Sequence, residues 1–98
     1  MPKPGLCYEE TFRIMLNDDT IAKHGKIVHG TVQDPKTHKI LDHAWIEVGA
    51  IVIDPTISEG FLEKAKYYNV VNAKPEKYYT ELQAINQAFK LKKGFRKW

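Results

Sequence analysis

The chain has one cysteine, Cys7, among 98 residues. That excludes an internal disulfide and any cysteine-rich zinc module. No apolar run approaches the roughly 18–20 residues that a membrane-spanning helix needs; runs such as Gly49 to Ile53 are far shorter. The opening, MPKPGLCYEE, lacks the apolar core of a signal peptide and meets acids at once. These absences lead us to expect a cytoplasmic protein with no membrane partner. What is present is ordinary for a globular chain: 43% hydrophobic and 28% charged residues. The length allows a single domain over 1–98 with a small core.

Acids are missing from one more place. Between Lys90 and Trp98 stand Lys90, Lys92, Lys93, Arg96 and Lys97 without a single counter-charge, while the rest of the chain nets −2. The pI near 9.0 is therefore a property of the tail, 90–98. With Phe95 and Trp98 it suits weak contact with nucleic acid or an acidic protein, or it is simply a solvated terminus.

Along the chain, Pro2, Pro4 and Gly5 prevent an early helix. From Cys7 to Leu16 the sequence reads as a helix, with Tyr8, Phe12, Met15 and Leu16 on one stripe and Glu9 and Glu10 in its first turn. Asn17-Asp18-Asp19 stops it; whether Thr20 to Lys23 resumes a helical turn stays open. Strand-like runs follow at Lys26–Gln33, Ile40–Val48 and Ala50–Ile53, ended by Asp54-Pro55. A short helix is expected over Ser58–Tyr67, interrupted by an unexplained Gly60. An edge strand is expected at Val70-Val71, and an irregular stretch from Pro75. The last helix is expected from Glu81 to Lys92, opened by a Thr80/Gln83 capping box, burying Leu82, Ile85 and Phe89, and stopped by Gly94. The class is α+β: an N-terminal helix bearing the cysteine, an antiparallel sheet of three or slightly more strands, and C-terminal helices, the helices packing on one face of the meander.

Cys7, His43 and Asp54 carry the chemistry. A thiolate is the nucleophilic form of cysteine, and a helix start or a neighbouring imidazolium favours it. Cys7 stands where unpaired amides of the first helix begin; a small buried hydrophobe is the other reading of a lone cysteine. His43 and Asp54 are coupled by parity. With Val48-Gly49 as the hairpin loop they lie opposite each other, with Cβ atoms about 4.5–5.5 Å apart; with Gly49-Ala50 they become diagonal neighbours about 7–8 Å apart. Either loop keeps both on one face, together with Trp45 and Glu47, while Ile46, Val48, Ile51 and Ile53 take the other. Asp54 then orients His43 and leaves its second nitrogen for the thiol. A half-buried histidine and a plain Asp-Pro turn are the alternatives when each residue is taken singly.

The string His43-Ala44-Trp45-Ile46-Glu47-Val48, followed by Ile53-Asp54-Pro55-Thr56, resembles the histidine and aspartate strands of the transglutaminase-like superfamily, which are papain-like thiol enzymes. Gly5-Leu6-Cys7-Tyr8-Glu9 resembles the start of the nucleophile helix, and Val28-His29-Gly30-Thr31-Val32 the strand before the histidine hairpin. The likeness spans Gly5 to Thr56, and a similar layout occurs in small bacterial and phage proteins of this type. It implies a papain-like core, a host-cell cytoplasmic setting for a phage member, and a Cys7-His43-Asp54 triad acting on a peptide or protein amide. Hydrolysis (a peptidase or deamidase) and acyl transfer both remain open. Such enzymes usually place a Gln, Asn or aromatic oxyanion donor upstream of the cysteine, and none of those residues precedes Cys7. The Cys7 amide is one candidate donor; Tyr8, His29 and Trp45 are candidates for oxyanion or substrate contacts.

A catalytically inactive binding module on the same fold, using the hairpin face or the basic tail, is the competing function. No cofactor is implied. Of the four histidines, His29 and His43 on adjacent strands make the best metal pair, yet the ligand spacing of a metal site is missing, so no metal is expected. Tyr67, Tyr68, Tyr78 and Tyr79 are expected to cover the core with their hydroxyls at the surface rather than to line a groove.

Overall fold

A computed structural model describes the backbone of residues 6–56 and 61–91 and the side chains of 8–56 and 61–87. The first helix, α1 (Leu6–Asn17), buries Tyr8, Phe12 and Met15 at the spacing of one helical stripe. Its outer face carries Arg13 bound to Glu9 at 2.7 Å and to Glu10 at 3.3 Å. Leu16, expected on the buried stripe, is 45% exposed, because it lies one position round from Met15. The chain does resume as a helix: the Asp18 side chain accepts from the amides of Thr20 and Ile21 and caps α2 (Asp19–His24). The acids that stop the first helix thus start the next.

Five strands form one antiparallel sheet: β1 (Gly25–Gln33), β2 (Ile40–Val48), β3 (Ile51–Ile53), β4 (Phe61–Glu63) and β5 (Lys74–Tyr79), in the order β4-β3-β2-β1-β5. Gly30 is where β5 comes closest: a Cβ there would stand 2.2 Å from the Lys74 carbonyl oxygen, beside a register shift between His29 and Gly30. Two helices complete the order, α3 (Lys64–Val70) before β5 and α4 (Glu81–Leu91) after it. The capping box forms as read: the Thr80 amide donates to Gln83 Oε1 at 2.9 Å and the Gln83 amide to Thr80 Oγ1 at 3.3 Å.

Helices cover both faces of the sheet, not one. Phe12 and Met15 of α1 and Ala84 of α4 pack with Ile27, Ile46 and Tyr79 on the first face. Tyr67 of α3 packs with Val28, Val32, Trp45 and Val52 on the second. The second layer arises where the sequence reading fails. Residues 61–63 are a strand because β3 supplies a ladder, Val52 opposite Leu62, so the helix expected from Ser58 starts only at Lys64. Val70 and Val71 end that helix instead of forming an edge strand. β5 is one edge of the sheet, β4 the other; Pro75 is tolerated there because, among the described residues, no strand pairs on the outer side of β5. Leu82, expected to be buried, is 68% exposed, and Ala84 takes the core position. Gly60, Gly94, the N-terminal prolines, the Phe89 side chain and the basic tail's side chains lie outside the described residues. Among the described residues no helix is long and apolar enough to cross a membrane.

Candidate active site

The β2–β3 connection decides how His43 meets Asp54. Val48 pairs with Ile51, Glu47 with Val52 and Ile46 with Ile53, so the loop is Gly49-Ala50. Gly49 has φ +58, a conformation suited to the first central position of a two-residue hairpin loop. Continuing this register sets Asp54 across from Trp45, which makes His43 its diagonal neighbour on the same face. The diagonal alternative is the one formed, and the side chains close the gap: His43 Nε2 lies 2.9 Å from Asp54 Oδ2, with both side chains buried.

Asp54 is held from every side. Oδ2 also accepts the Tyr67 hydroxyl at 2.6 Å, and Oδ1 accepts the Thr56 amide at 2.8 Å and the Thr56 hydroxyl at 2.7 Å. Two donors on each oxygen match what a carboxylate can take. Burial pushes the Asp54 carboxyl up, but the hydrogen bond and charge of His43, then Tyr67 and Thr56, outweigh it and bring the group below its ordinary value. An ionised Asp54 fixes the His43 tautomer: Nε2–H donates to the carboxylate, and Nδ1 is then the ring nitrogen able to accept a proton.

Beside this pair lies a second buried acid. The Trp45 ring lies 6.4 Å from that of His43 at an interplanar angle of 29°. Its indole Nε1 donates to Glu47 Oε2 at 3.0 Å, the Tyr68 hydroxyl donates to the same oxygen, and Lys64 Nζ lies 3.1 Å from Oε1. Burial, then the contacts with Glu47 and Tyr78, push the Tyr68 phenol far up, so it remains a donor.

Cys7 lies in the first turn of α1, and its thiol falls outside the described side chains. The segment that carries it is nevertheless close to β2. The next residue, Tyr8, packs on Ala44, the neighbour of His43. Of the weaker candidates, Tyr8 and His29 meet on the α1 face, ring centroids 4.7 Å apart, with Tyr79 5.1 Å from His29 on its other side. His29 pairs with Ala44 and His43 with Gly30, so the two histidines point to opposite faces and the metal pair envisaged from the sequence does not form. Among the described residues no group of three or more His, Cys, Asp or Glu side chains is arranged to hold a metal ion.

Sequence reading missed Tyr67, Thr56 and Tyr68 as parts of this site. Thr56 had a signal, since an aspartate accepting from the amide two residues on is the usual Asx turn. Tyr67 had none, and its expected surface hydroxyl is in fact buried against Asp54. Comparison with known families, curated proteins and solved structures returns no match.

Proposed function

We propose that the protein is a minimal transglutaminase-like cysteine enzyme, an amide hydrolase or acyl-transferase, with Cys7 as nucleophile, His43 as base and then acid, and Asp54 as the orienting carboxylate. The observation that carries this reading is the buried His43–Asp54 pair with both carboxylate oxygens fully engaged. A histidine held this way has one tautomer and one orientation, which a general base requires. The position of α1 sets the condition that the triad must meet. The helix lies on the face opposite His43, but β3 pairs only with residues 46–48 of β2, so among the described residues no strand pairs with β2 beside His43 on that flank. The reading requires the Cys7 thiol to reach His43 over this gap; the next residue, Tyr8, is seated on Ala44.

In this mechanism His43 Nδ1 takes the thiol proton and Sγ attacks the amide carbonyl carbon. The oxyanion meets the Cys7 amide, one of the unpaired donors of the helix start. The C–N bond breaks as His43 returns the proton to the leaving amine. Water then gives hydrolysis of the thioester, or a second amine gives transfer; the two outcomes share every residue named above.

The test is alkylation of Cys7 by iodoacetamide across pH, in the wild type and in His43→Ala. The expected result is an apparent thiol pKa well below the free value of about 8.5, rising toward it in the variant. A thiol that titrates normally in both chains overturns the enzyme reading. A binding module is the second reading. It is favoured by a cleft of about 350 Å³ at the hairpin end, lined by His24, Lys26, Glu47, Gly49, Lys64 and Tyr78. Ligand capture that survives Cys7→Ser and fails in Lys26→Glu supports that alternative.

A further inference from the structure

We infer that Tyr67 is a positioning residue that keeps His43 in its uncharged, basic form by sharing the Asp54 oxygen to which the imidazole is bonded; this rests on the catalytic reading of His43 above. Two donors meet on one atom. His43 Nε2 lies 2.9 Å from Asp54 Oδ2, and the Tyr67 hydroxyl donates to the same oxygen at 2.6 Å. Both lengths are those of hydrogen bonds to an ionised acceptor. A phenol hydrogen aimed at Oδ2 places partial positive charge beside the imidazole and draws negative charge from the oxygen that faces it. Each effect disfavours the imidazolium. A carboxylate oxygen that served His43 alone would orient the ring but would also stabilise its protonated form more strongly. The effect arises at the acceptor, so it does not depend on what else touches the imidazole.

Packing alone does not call for the hydroxyl. Tyr67 is fully buried, and its ring packs with Val28, Val32, Trp45 and Val52. A phenylalanine would fill that apolar setting without bringing in a hydroxyl that needs an acceptor. The place of the hydroxyl on the carboxylate is also specific. Thr56 directs its amide and its hydroxyl to Oδ1, at 2.8 and 2.7 Å, so among the described residues Tyr67 alone shares an oxygen with the histidine. Toward this pair β2 and α3 also present Glu47, Tyr68 and Lys64, which bind one another, and the triad reading adds the Cys7 thiol from α1. Removing the Tyr67 hydroxyl changes none of these groups.

The test is the titration of His43, followed through its ring NMR signal in the full chain carrying Cys7→Ser, so that no thiol ionises alongside it. Tyr67→Phe removes a hydroxyl from Oδ2, and Thr56→Val removes one from Oδ1. In Tyr67→Phe the His43 midpoint is expected to rise by about one pH unit, a tenfold gain in proton affinity. In Thr56→Val the rise should be clearly smaller, because the lost dipole faces the other oxygen. If Tyr67→Phe does not fold, a fluorinated tyrosine at the same position keeps the ring and donates more strongly, and the midpoint should then fall; a midpoint that stays or rises contradicts the inference. A folded Tyr67→Phe chain in which His43 titrates as before, or an equal rise in both variants, overturns it and leaves Tyr67 a structural donor to a buried acid. These midpoints need no thiol. A wild-type Cys7 that titrates as ordinary cysteine therefore removes the catalytic reading, while the midpoints still decide whether Tyr67 tunes His43.

Discussion

The two faces of the β2 strand differ more than any two regions of the molecule. Ala44 and Ile46 meet Tyr8, Phe12 and Met15, and that face is held by apolar packing. One residue out of step, His43, Trp45 and Glu47 meet Asp54, Tyr67, Tyr68 and Lys64, and that face is held by hydrogen bonds. The strand is the same and the burial is the same; only the chemistry alternates. The apolar face tolerates small adjustments of its neighbours, because dispersion contacts are many and individually weak. The polar face does not, because each buried acid left short of a donor carries a large desolvation cost.

Substitutions on the two faces should therefore fail differently. Asp54→Ala strips an acceptor from His43, Tyr67 and Thr56 together and should cost about 3–5 kcal/mol, the usual range for breaking a buried charge pair. Urea unfolding measures the loss, and the His43 ring signal should collapse with it. Met15→Ala should cost about 3 kcal/mol by opening a cavity on the apolar face, yet leave the ring signal and Cys7 alkylation unchanged. A change in either would mean that the faces are coupled through the strand.

Tyr67→Phe removes one of four donors from Asp54 and should cost about 2 kcal/mol, as for hydrogen bonds to charged groups. It also sharpens the comparison through pH. The folded carboxyl of Asp54 lies below its ordinary value of 3.8, so the unfolded chain takes up a proton first as the solution is acidified. The stability it contributes is fully present above the unfolded value and is lost as pH falls through the folded one. Thermal unfolding followed from neutral pH to about pH 2 should show this acid loss, shallower in Tyr67→Phe and shallower still in Asp54→Asn. The smallest effect lies away from both faces: Thr80→Ala removes the α4 cap and should cost about 1 kcal/mol with no change at His43.

How much of this was legible depends on which contacts set each element. β2 spans the residues its alternation suggested, and the coupling of His43 to Asp54 followed from hairpin parity. Both are local properties of one strand and one loop. The reading broke down between Phe61 and Tyr79, where pairing partners distant in sequence decide. Phe61–Glu63 becomes a strand through β3, and Lys74–Tyr79 becomes one through β1 despite Pro75. With α3 displaced from its expected span, the roles of Tyr67 and Tyr68 were out of reach, since neither contact is implied by spacing. Leu16 and Leu82 misled for another reason: a helical stripe read from hydrophobicity alone does not say how wide the facing surface is.

The outer strand β5 has a consequence for how copies of this protein meet. A strand at the border of a sheet invites a second one to extend the ladder, and aggregation begins that way. All but the last of the β5 residues are exposed. Pro75 has no amide hydrogen to offer, and the register shift at His29/Gly30 bends the strand. Lys74, Glu76 and Lys77 make the strand strongly charged along its exposed part. This border is thus built to refuse a neighbour, whereas the opposite border, β4, is a strand of only three residues.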